Sequence, residues 1–294
     1  MFNNEIMNET EVRKRRIESI LSGVHNLPSV PVIMMEVSRI IEEPGASASK
    51  LGKVISKDQG LVTKILSVAN SPLYGIPRRV STIDFAIVIL GFNHIKNIVI
   101  ALSMMEAFKD VNGPKFDHKK YWAHSFMVAT AAKKIADDLG YRTSGEVFTA
   151  GLLHDLGIPI IYKYFNKGYN EIIRLVEETG RSFFSLEEEV IGINHMEIGR
   201  FLIDKWNLPV NLGESIQYHH YPSRTPNDPL VAALIHLADF ITQKIEIGDF
   251  DCDKGMQFDS NIIDILKLGN QEYLEQFIMS YKELFENQIE SLNF

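Results

Sequence analysis

Ala150-Gly-Leu-Leu-His-Asp-Leu-Gly157 is the stretch of sequence on which the fold prediction depends. It contains an adjacent histidine and aspartate, His154 and Asp155, surrounded by leucines and preceded by Val147 and Phe148, which predicts a buried helix. Burying an imidazole beside a carboxylate costs on the order of a few kcal/mol for each group without a partner. We therefore expect other polar groups or a metal ion next to this pair.

Two more ionisable side chains lie on apolar helix faces. His124 shares its predicted face with Val128 and Ile135, and Asp239 shares its face with Ile235. A buried carboxylate without a cation has to be protonated or hydrogen-bonded. We therefore expect three helices to send ionisable groups toward one interior.

Three further histidines repeat this pattern. His195 shares a face with Leu202, and His219 and His220 end the helix that begins near Pro209. Adjacent helix positions differ by about 100°, so His219 and His220 point in different directions, although both can reach one site from a helix end. Imidazole and carboxylate donors suit Fe, Mn, Zn or Ni, and one or two such ions are the expected cofactors. The alternative is a buried polar network satisfied by side chains alone.

Composition limits the class of protein. The chain has 294 residues, 45% of them apolar, and a net charge of −8, which disfavours a general nucleic-acid surface. Cys252 is the only cysteine, so a disulfide framework and a CxxC metal knuckle are excluded. The polar stretch Met1–Glu11 resembles neither a signal peptide nor a membrane span. We expect a cytoplasmic protein that does not associate with membranes.

Apolar residues recur at helical spacing, and alternating β-branched runs are rare, so we predict an all-α fold. A break around Asn112-Gly-Pro114 separates an N-terminal helical subdomain from a longer multi-helix bundle. The predicted units are an N-terminal extension (1–20), the N-terminal subdomain (21–112), the bundle (113–248) and a C-terminal helical tail (249–294). Aromatic residues recur in the tail at Tyr273, Phe277, Tyr281 and Phe285, which is typical of core or of a surface for homo-oligomers.

Several local features have two interpretations. The basic run Arg13-Lys-Arg-Arg16 is interpreted as a solvated helix face, with a polyanion-binding arm as the alternative. Arg78 and Arg79 lie in a loop that suits a phosphate or a partner carboxylate, unless they cap helices or face solvent. Ser81 with Asp84 is predicted to form a capping box, and Asn93 the cap of the following helix.

The order of the His and Asp residues resembles the HD superfamily. The pattern reads His124, His154-Asp155 and Asp239, with the three other histidines between them as in di-metal HD-GYP phosphodiesterases. The flanking sequence is more similar to the HDOD family. That similarity covers roughly residues 20 to 245 and rests on Leu27-Pro-Ser-Val-Pro31, Ile55-Ser-Lys-Asp58, Ile65–Ser71, Tyr74–Arg78, Ser81–Ile87, Leu90-Gly-Phe92, Asn194–Gly199, Trp206–Pro209 and Tyr218-His-His220.

This resemblance implies a helical output module of bacterial signalling proteins, expected to bind a signalling protein. Relative to the phosphodiesterases, Ile158 replaces a lysine, Lys120 replaces a glutamate, and Tyr221-Pro-Ser223 replaces the Glu and GYP segment. A group that stabilises phosphate charge is therefore missing, and we expect regulation without catalysis. The alternatives are a metal-dependent phosphohydrolase acting on a nucleotide or cyclic dinucleotide, and an interaction protein with a metal-free core. Reading of DNA is not expected.

Overall fold

The computed structural model describes residues 9–24, 27–29, 31–109, 111, 113–142 and 144–291. These residues form an all-α fold without β-strands, and their β-pairing is limited to a single bridge between Gly113 and Phe116. The predicted fold class is therefore confirmed. Asn112, in the predicted break, and most of Met1–Glu11 lie outside the described residues. The four-unit division of the chain stays a prediction.

Among the described residues, six α-helices make up the N-terminal part of the chain. They are α1 (Glu9–Ser22), α2 (Val32–Glu42), α3 (Ala48–Ile55), α4 (Gln59–Ala69), α5 (Ile83–Leu90) and α6 (Phe92–Ala107). Helix α6 packs against α2, α4 and α5, and almost all of its residues from Ile98 to Met105 are buried. It is the central helix of the predicted N-terminal subdomain.

The caps of α5 and α6 differ from the prediction. Thr82, and not Ser81, is the N-cap of α5, because its hydroxyl accepts the amide hydrogen bond of Phe85. Helix α6 begins directly after Gly91, so Asn93 lies inside it. Gly91 has φ +85°, a conformation that favours glycine. The chain bends there by 118° between α5 and α6. Among the described helices, none alone is long and apolar enough to cross a membrane; only this bent pair reaches that length and apolarity together.

The HD-like bundle and the tail follow. Their helices are α7 (His118–Asp138), α8 (Ser144–Leu153), α9 (Gly157–Tyr164), α10 (Asn166–Thr179), α11 (Phe183–Val190), α12 (His195–Lys205), α13 (Val210–Gln217), α14 (Leu230–Ile245), α15 (Ile262–Ile265), α16 (Gln271–Ser280) and α17 (Lys282–Ser291). Helix α7 packs against both α8 and α14, and these three helices form the centre of the bundle.

Two glycines of the opening stretch allow unusually close packing. A Cβ atom on Gly151 would lie 2.7 Å from the Cα atom of Ala129, so α7 and α8 approach through their backbones. A Cβ atom on Gly157 would overlap the main chain of His195. The start of α9 therefore lies directly against the start of α12, which brings His195 to the His154-Asp155 turn.

The apolar core is continuous across the predicted subdomain boundary. One cluster of buried side chains runs from Leu21 through the N-terminal helices to Ile216. A second cluster joins α7, α8 and α14 to the C-terminal helices and includes Tyr281 and Phe285. The hydroxyl of Tyr281 donates to Asp138 at 2.6 Å. These two aromatic residues of the tail therefore belong to the core, and homo-oligomer formation through the tail stays a prediction.

The basic run of α1 is not uniformly solvated as interpreted. Arg13 donates two hydrogen bonds to Glu197 at 2.6 and 2.8 Å and pairs with Glu188 at 2.8 Å. Glu197 also completes a capping box with Asn194 at the start of α12. The interpretation as a solvated face is therefore wrong for Arg13, because a carboxylate-rich helix start neutralises it. Arg15 and Arg16 are exposed.

Candidate functional site

The His154-Asp155 pair lies in the turn between two bundle helices. Helix α8 ends at Leu153 and α9 begins at Gly157, so the pair follows the predicted helix rather than lying inside it. Both side chains are fully buried. The turn is enclosed by α7, α12, α13 and α14, which carry or adjoin the other five predicted ligands.

All seven predicted residues come together in one interior. His124, His154, Asp155, His219 and Asp239 are fully buried, His195 is 1% exposed, and His220 is 4% exposed. Helix packing brings together residues that lie up to 115 positions apart in the sequence. The residues group into three overlapping sets whose donor atoms lie within 4.8 Å of one another: His195, His219 and His220; His124, His154 and Asp239; and His154, Asp155 and His219.

Three of the histidines are fixed by main-chain carbonyl groups. The Nδ1 atom of His124 donates to the carbonyl of Gly248 at 2.8 Å, and His154 Nδ1 donates to that of Gly151 at 2.7 Å. His219 Nδ1 donates to the carbonyl of Ile216 at 2.7 Å. A carbonyl oxygen only accepts hydrogen bonds, so Nδ1 carries the proton in each ring. In the neutral form of these rings, the lone pair is on Nε2.

The fourth histidine is fixed by a buried carboxylate that the sequence interpretation missed. His195 Nδ1 lies 2.8 and 2.9 Å from the two carboxylate oxygens of Glu187, and the amide of His195 donates to the same carboxylate at 3.2 Å. Glu187 is fully buried in α11, on the same face as Phe183. That helical spacing is the signal that could have identified it. A carboxylate that orients a histidine in this way is typical of metal sites.

The four Nε2 atoms converge on the carboxylate of Asp155. His195 Nε2 and His219 Nε2 lie 3.4 and 3.5 Å from Oδ1, and His154 Nε2 lies 3.3 Å from Oδ2. His124 Nε2 lies 4.0 Å from Oδ2 and 3.6 Å from Asp239 Oδ1. These distances exceed the 2.7–2.9 Å of charge-assisted hydrogen bonds. Ring nitrogens and carboxylate oxygens thus surround one centre, where a cation would offset the cost of burying the carboxylates.

The pKa values of His219 and His220 favour a lone pair over a proton on these two rings. Burial lowers the pKa of His219 to about 4 and holds the pKa of His220 well below its ordinary value. Burial alone would raise the pKa of Asp155. The rings of His154, His219 and His195 outweigh burial, so the pKa lies well below the ordinary value. Burial alone would lower the pKa of His154. The neighbouring carboxylate of Asp155 outweighs burial, so the pKa is raised overall.

A sixth buried histidine, His236, supports the site from behind. His236 Nδ1 donates to the carbonyl of His219 at 2.8 Å, and its Nε2 accepts the amide of Asp259 at 2.9 Å. Because that carbonyl belongs to His219, the same bond also holds the His219-His220 turn in place.

A cleft of about 160 Å³ reaches the site beside His220. Phe184 and Tyr221 form part of its wall, and the ring centroid of Phe184 lies 4.9 Å from that of His220. The Nε2 atom of His220 has no hydrogen-bond partner among the described residues. None of the described residues that line this cleft is a lysine or an arginine.

Arg78 and Arg79 do not take part in this site. They are exposed on the loop between Gly75 and Val80 in the N-terminal subdomain and belong to none of the three ligand groups. The metal-site prediction and the anion-loop prediction therefore concern separate places on the molecule.

The model of the HDOD domain family matches residues 27–222. The chain belongs to the HDOD family. An uncharacterized protein of Treponema pallidum (strain Nichols) is 26% identical to this HDOD protein over 223 residues, 74% of this chain. Because that match covers only 42% of the Treponema protein, this chain spans less than half of its length.

Solved structures share the fold of this HDOD protein. An HDOD domain protein of unknown function from Geobacter sulfurreducens superposes with a TM-score of 0.81 at 26% identity, over 97% of this chain and all of that one. A Marinobacter aquaeolei VT8 protein provisionally assigned to signal transduction has a TM-score of 0.72 at 20% identity, over 97% and 67% of the two chains. A Shewanella amazonensis SB2B protein provisionally assigned as a metal-dependent phosphohydrolase superposes with a TM-score of 0.64 at 17% identity, over 96% of this chain and 98% of that one. The last two comparisons establish the fold alone.

Proposed function

We propose that this chain is a regulatory HDOD module that binds one or two divalent metal ions in the HD-like bundle and acts by binding a signalling protein. The observation that carries the metal part is the convergence of four Nε2 atoms on Asp155, with each Nδ1 atom tied to a fixed acceptor. Such an arrangement holds lone pairs toward one centre before any ion arrives, which is what metal coordination requires.

The donor set suits the proposed ions. Imidazole nitrogens and carboxylate oxygens without thiolate are the ligands expected for Fe, Mn, Zn or Ni. His124, His154 and Asp239 would hold one ion, and His195, His219 and His220 would hold a second, with Asp155 beside both groups. A divalent ion in such a site polarises a bound oxygen and lowers the pKa of bound water.

Two observations favour regulation over turnover. Ile158, at the position where the phosphodiesterases have a lysine, is fully buried in α9. The described lining of the cleft beside His220 has no cationic side chain that would neutralise a phosphate. The exposed Arg78 and Arg79 are proposed instead as contacts for a carboxylate or phosphate of the signalling partner.

The second candidate is a metal-dependent phosphohydrolase acting on a nucleotide or cyclic dinucleotide. The observation that favours it is the cleft beside His220, which adjoins a complete set of ligands. In that case the buried Glu187 and His236 would hold the ligands in position, and the cleft would have to admit the substrate.

The test is elemental analysis of first-row metals in protein purified without added metal or chelator. The wild type is expected to retain close to stoichiometric metal, and the double variant His154→Ala, Asp155→Ala is expected to lose it. His94→Gln is the matched control, because His94 is buried but lies outside the ligand groups. Its metal content is expected to equal that of the wild type.

A hydrolysis assay on the same preparations separates the two candidates. Bis(p-nitrophenyl) phosphate and a cyclic dinucleotide are expected to remain intact in the presence of the metal-loaded wild type. Turnover that disappears in the double variant would establish the phosphohydrolase instead. A wild type that holds no metal, even after reconstitution with iron, manganese or zinc, contradicts both candidates and favours the metal-free interaction protein.

A further inference from the structure

A second cleft lies in the N-terminal subdomain, between the start of α2, the start of α4 and the end of α6. Its volume of about 430 Å³ lies within the range of small-molecule sites, about 300–1,000 Å³. Ile33, Leu61 and Leu102 supply apolar walls, and none of the residues that line it belongs to the metal-ligand groups. It is therefore separate from the proposed metal site.

The buried hydroxyl of Ser103 distinguishes this cleft from a packing defect. Ser103 lies in the interior of α6, is 4% exposed and lines the cleft. Its Oγ atom has no hydrogen-bond partner among the described residues. A buried hydroxyl without a partner is unfavourable unless something else satisfies it.

Other buried helical hydroxyls of the chain behave differently. Each donates to a carbonyl three or four residues earlier in its own helix, which is the usual solution for serine and threonine in helices. They are Ser125 at 3.0 Å, Thr130 at 2.8 Å, Thr149 at 3.3 Å, Ser215 at 2.8 Å and Thr242 at 2.7 Å. Ser103 does not form this bond with Val99. The residue lines the cleft while its Oγ atom is itself buried, so a molecule in the cleft reaches the hydroxyl once the side chain rotates about χ1.

The charges around the cleft select the class of ligand. Asp58 accepts the amide hydrogen bond of Leu61 as the N-cap of α4. Glu106 pairs with Lys64 at 3.1 Å and with Lys109 at 2.7 Å, and hydrogen bonds from these two lysines lower the pKa of its carboxyl and keep it ionised. Two carboxylates against one lysine in the described lining disfavour an anion. Both carboxylates already have partners, Asp58 in the amide of Leu61 and Glu106 in Lys64 and Lys109, which disfavours a cation as well.

We propose that this cleft binds a small uncharged molecule with an apolar body and one hydroxyl or carbonyl group, which hydrogen-bonds to Ser103. The apolar body contacts Ile33, Leu61 and Leu102. The bound molecule lies against the last turns of α6. The first turns of the same helix meet the start of α8, where His94 and Asn97 lie close to Gly145. This binding site does not depend on whether the bundle holds metal.

The experiment is a titration of the full chain, labelled at its Ile and Leu methyl groups, with benzyl alcohol and followed by NMR. Benzyl alcohol is expected to shift the methyl signals of Ile33, Leu61 and Leu102. Three matched probes carry the same ring with a different head group. Toluene is expected to bind about fivefold more weakly because it lacks the hydrogen bond. Benzoate and benzylammonium are expected to bind at least tenfold more weakly because they are charged.

Variants test the role of the hydroxyl. Ser103→Val is expected to reduce the affinity for benzyl alcohol to that for toluene and to leave toluene unaffected. Ser103→Ala serves the same purpose if the valine variant does not fold. Thr130→Val, which removes a bonded hydroxyl in α7, is the matched control and is expected to bind benzyl alcohol as the wild type does.

Three results would overturn the proposal. The first is an absence of shifts at these methyl groups at millimolar benzyl alcohol, which leaves water as the partner of Ser103. The second is benzoate binding as tightly as benzyl alcohol, which contradicts the charge argument. The third is unchanged benzyl alcohol affinity in both Ser103 variants, which removes the hydroxyl from the site.

Discussion

The HD-like bundle buries a group of ionisable side chains within its apolar core, whereas the N-terminal subdomain buries an almost purely apolar interior. The interior of the subdomain is aliphatic, with residues such as Leu51 and Ile65 fully buried and only isolated polar groups such as Ser103 and His94. The bundle encloses seven ionisable ligand candidates together with Glu187 and His236. Both regions nevertheless share one continuous apolar cluster.

This difference separates the region whose burial mainly stabilises the fold from the region that carries the proposed metal site. Apolar burial in the subdomain contributes to folding without needing any partner, at roughly 25 cal/mol per Å². The ionisable interior of the bundle is unfavourable by itself and is tolerated where hydrogen bonds and a cation offset the cost of desolvation. Functional sites are where proteins are expected to depart from the rule that buried side chains are apolar.

The largest effect is expected from a cavity in the apolar region. Leu51→Ala removes a fully buried side chain and is expected to lower the free energy of unfolding by about 2–5 kcal/mol. Denaturant unfolding is expected to show a single transition, because the apolar cluster crosses the boundary near residue 112. The metal content of the folded variant is expected to be that of the wild type. A separate early transition would show that the two regions unfold independently.

Acid is expected to destabilise the molecule through its buried histidines. Burial, with a smaller contribution from Lys133, lowers the pKa of His94 to about 3. The unfolded chain binds this proton near pH 6.5 and the folded chain does not, so the stabilisation is complete above pH 6.5 and is lost as the pH falls. The loss between pH 6.5 and pH 4 is about 3 kcal/mol for this residue.

The variant His94→Gln isolates that contribution. Glutamine does not titrate, so the free energy of unfolding is expected to fall less steeply below pH 6.5 than in the wild type. Denaturation curves measured from pH 7 to pH 4 check this. The bundle residues His219 and His236, each with a pKa of about 4, retain their own contribution of the same sign. An unchanged slope would mean that His94 is protonated in the folded state.

A smaller effect is expected from the carboxylate that orients His195. Glu187→Gln is expected to weaken metal binding by roughly 10- to 100-fold, about 1.4–2.7 kcal/mol, because the charge behind the imidazole is lost. Competition titration with a chelator measures this. Glu189→Gln, on the exposed side of the same helix, is the control and is expected to bind metal as the wild type does. If both variants bind metal equally tightly, Glu187 contributes to packing and does not orient His195 for metal binding.

The smallest effect concerns two single hydroxyls. Thr130→Val in the bundle removes a bonded hydroxyl and is expected to lower the free energy of unfolding by about 1 kcal/mol. Ser103→Val in the subdomain removes an unbonded hydroxyl and is expected to leave stability unchanged or slightly higher. Denaturation without added small molecules compares the two. A similar loss in both variants would show that water satisfies Ser103 in the folded protein.

The candidate ligands could be predicted because each carries a local signal. His124 and Asp239 lie on apolar faces, and helical spacing alone indicates that they point inward. Glu187 had the same signal through Phe183, yet its role depends on His195, a residue in another helix. The pairing of Arg13 with Glu197 had no local signal, since the two residues are 184 positions apart.

The sequence by itself determined the all-α class, the inward direction of the candidate histidine and aspartate ligands, and the absence of a CxxC metal knuckle. These properties depend on residue type and on the 3.6-residue period, which act over a few positions. Only the tertiary structure decided that the four Nε2 atoms meet at Asp155, that Gly157 lets α9 lie against α12, and that Ser103 faces a cleft. Such distances are set by the packing of helices far apart in the chain, and no local pattern encodes them.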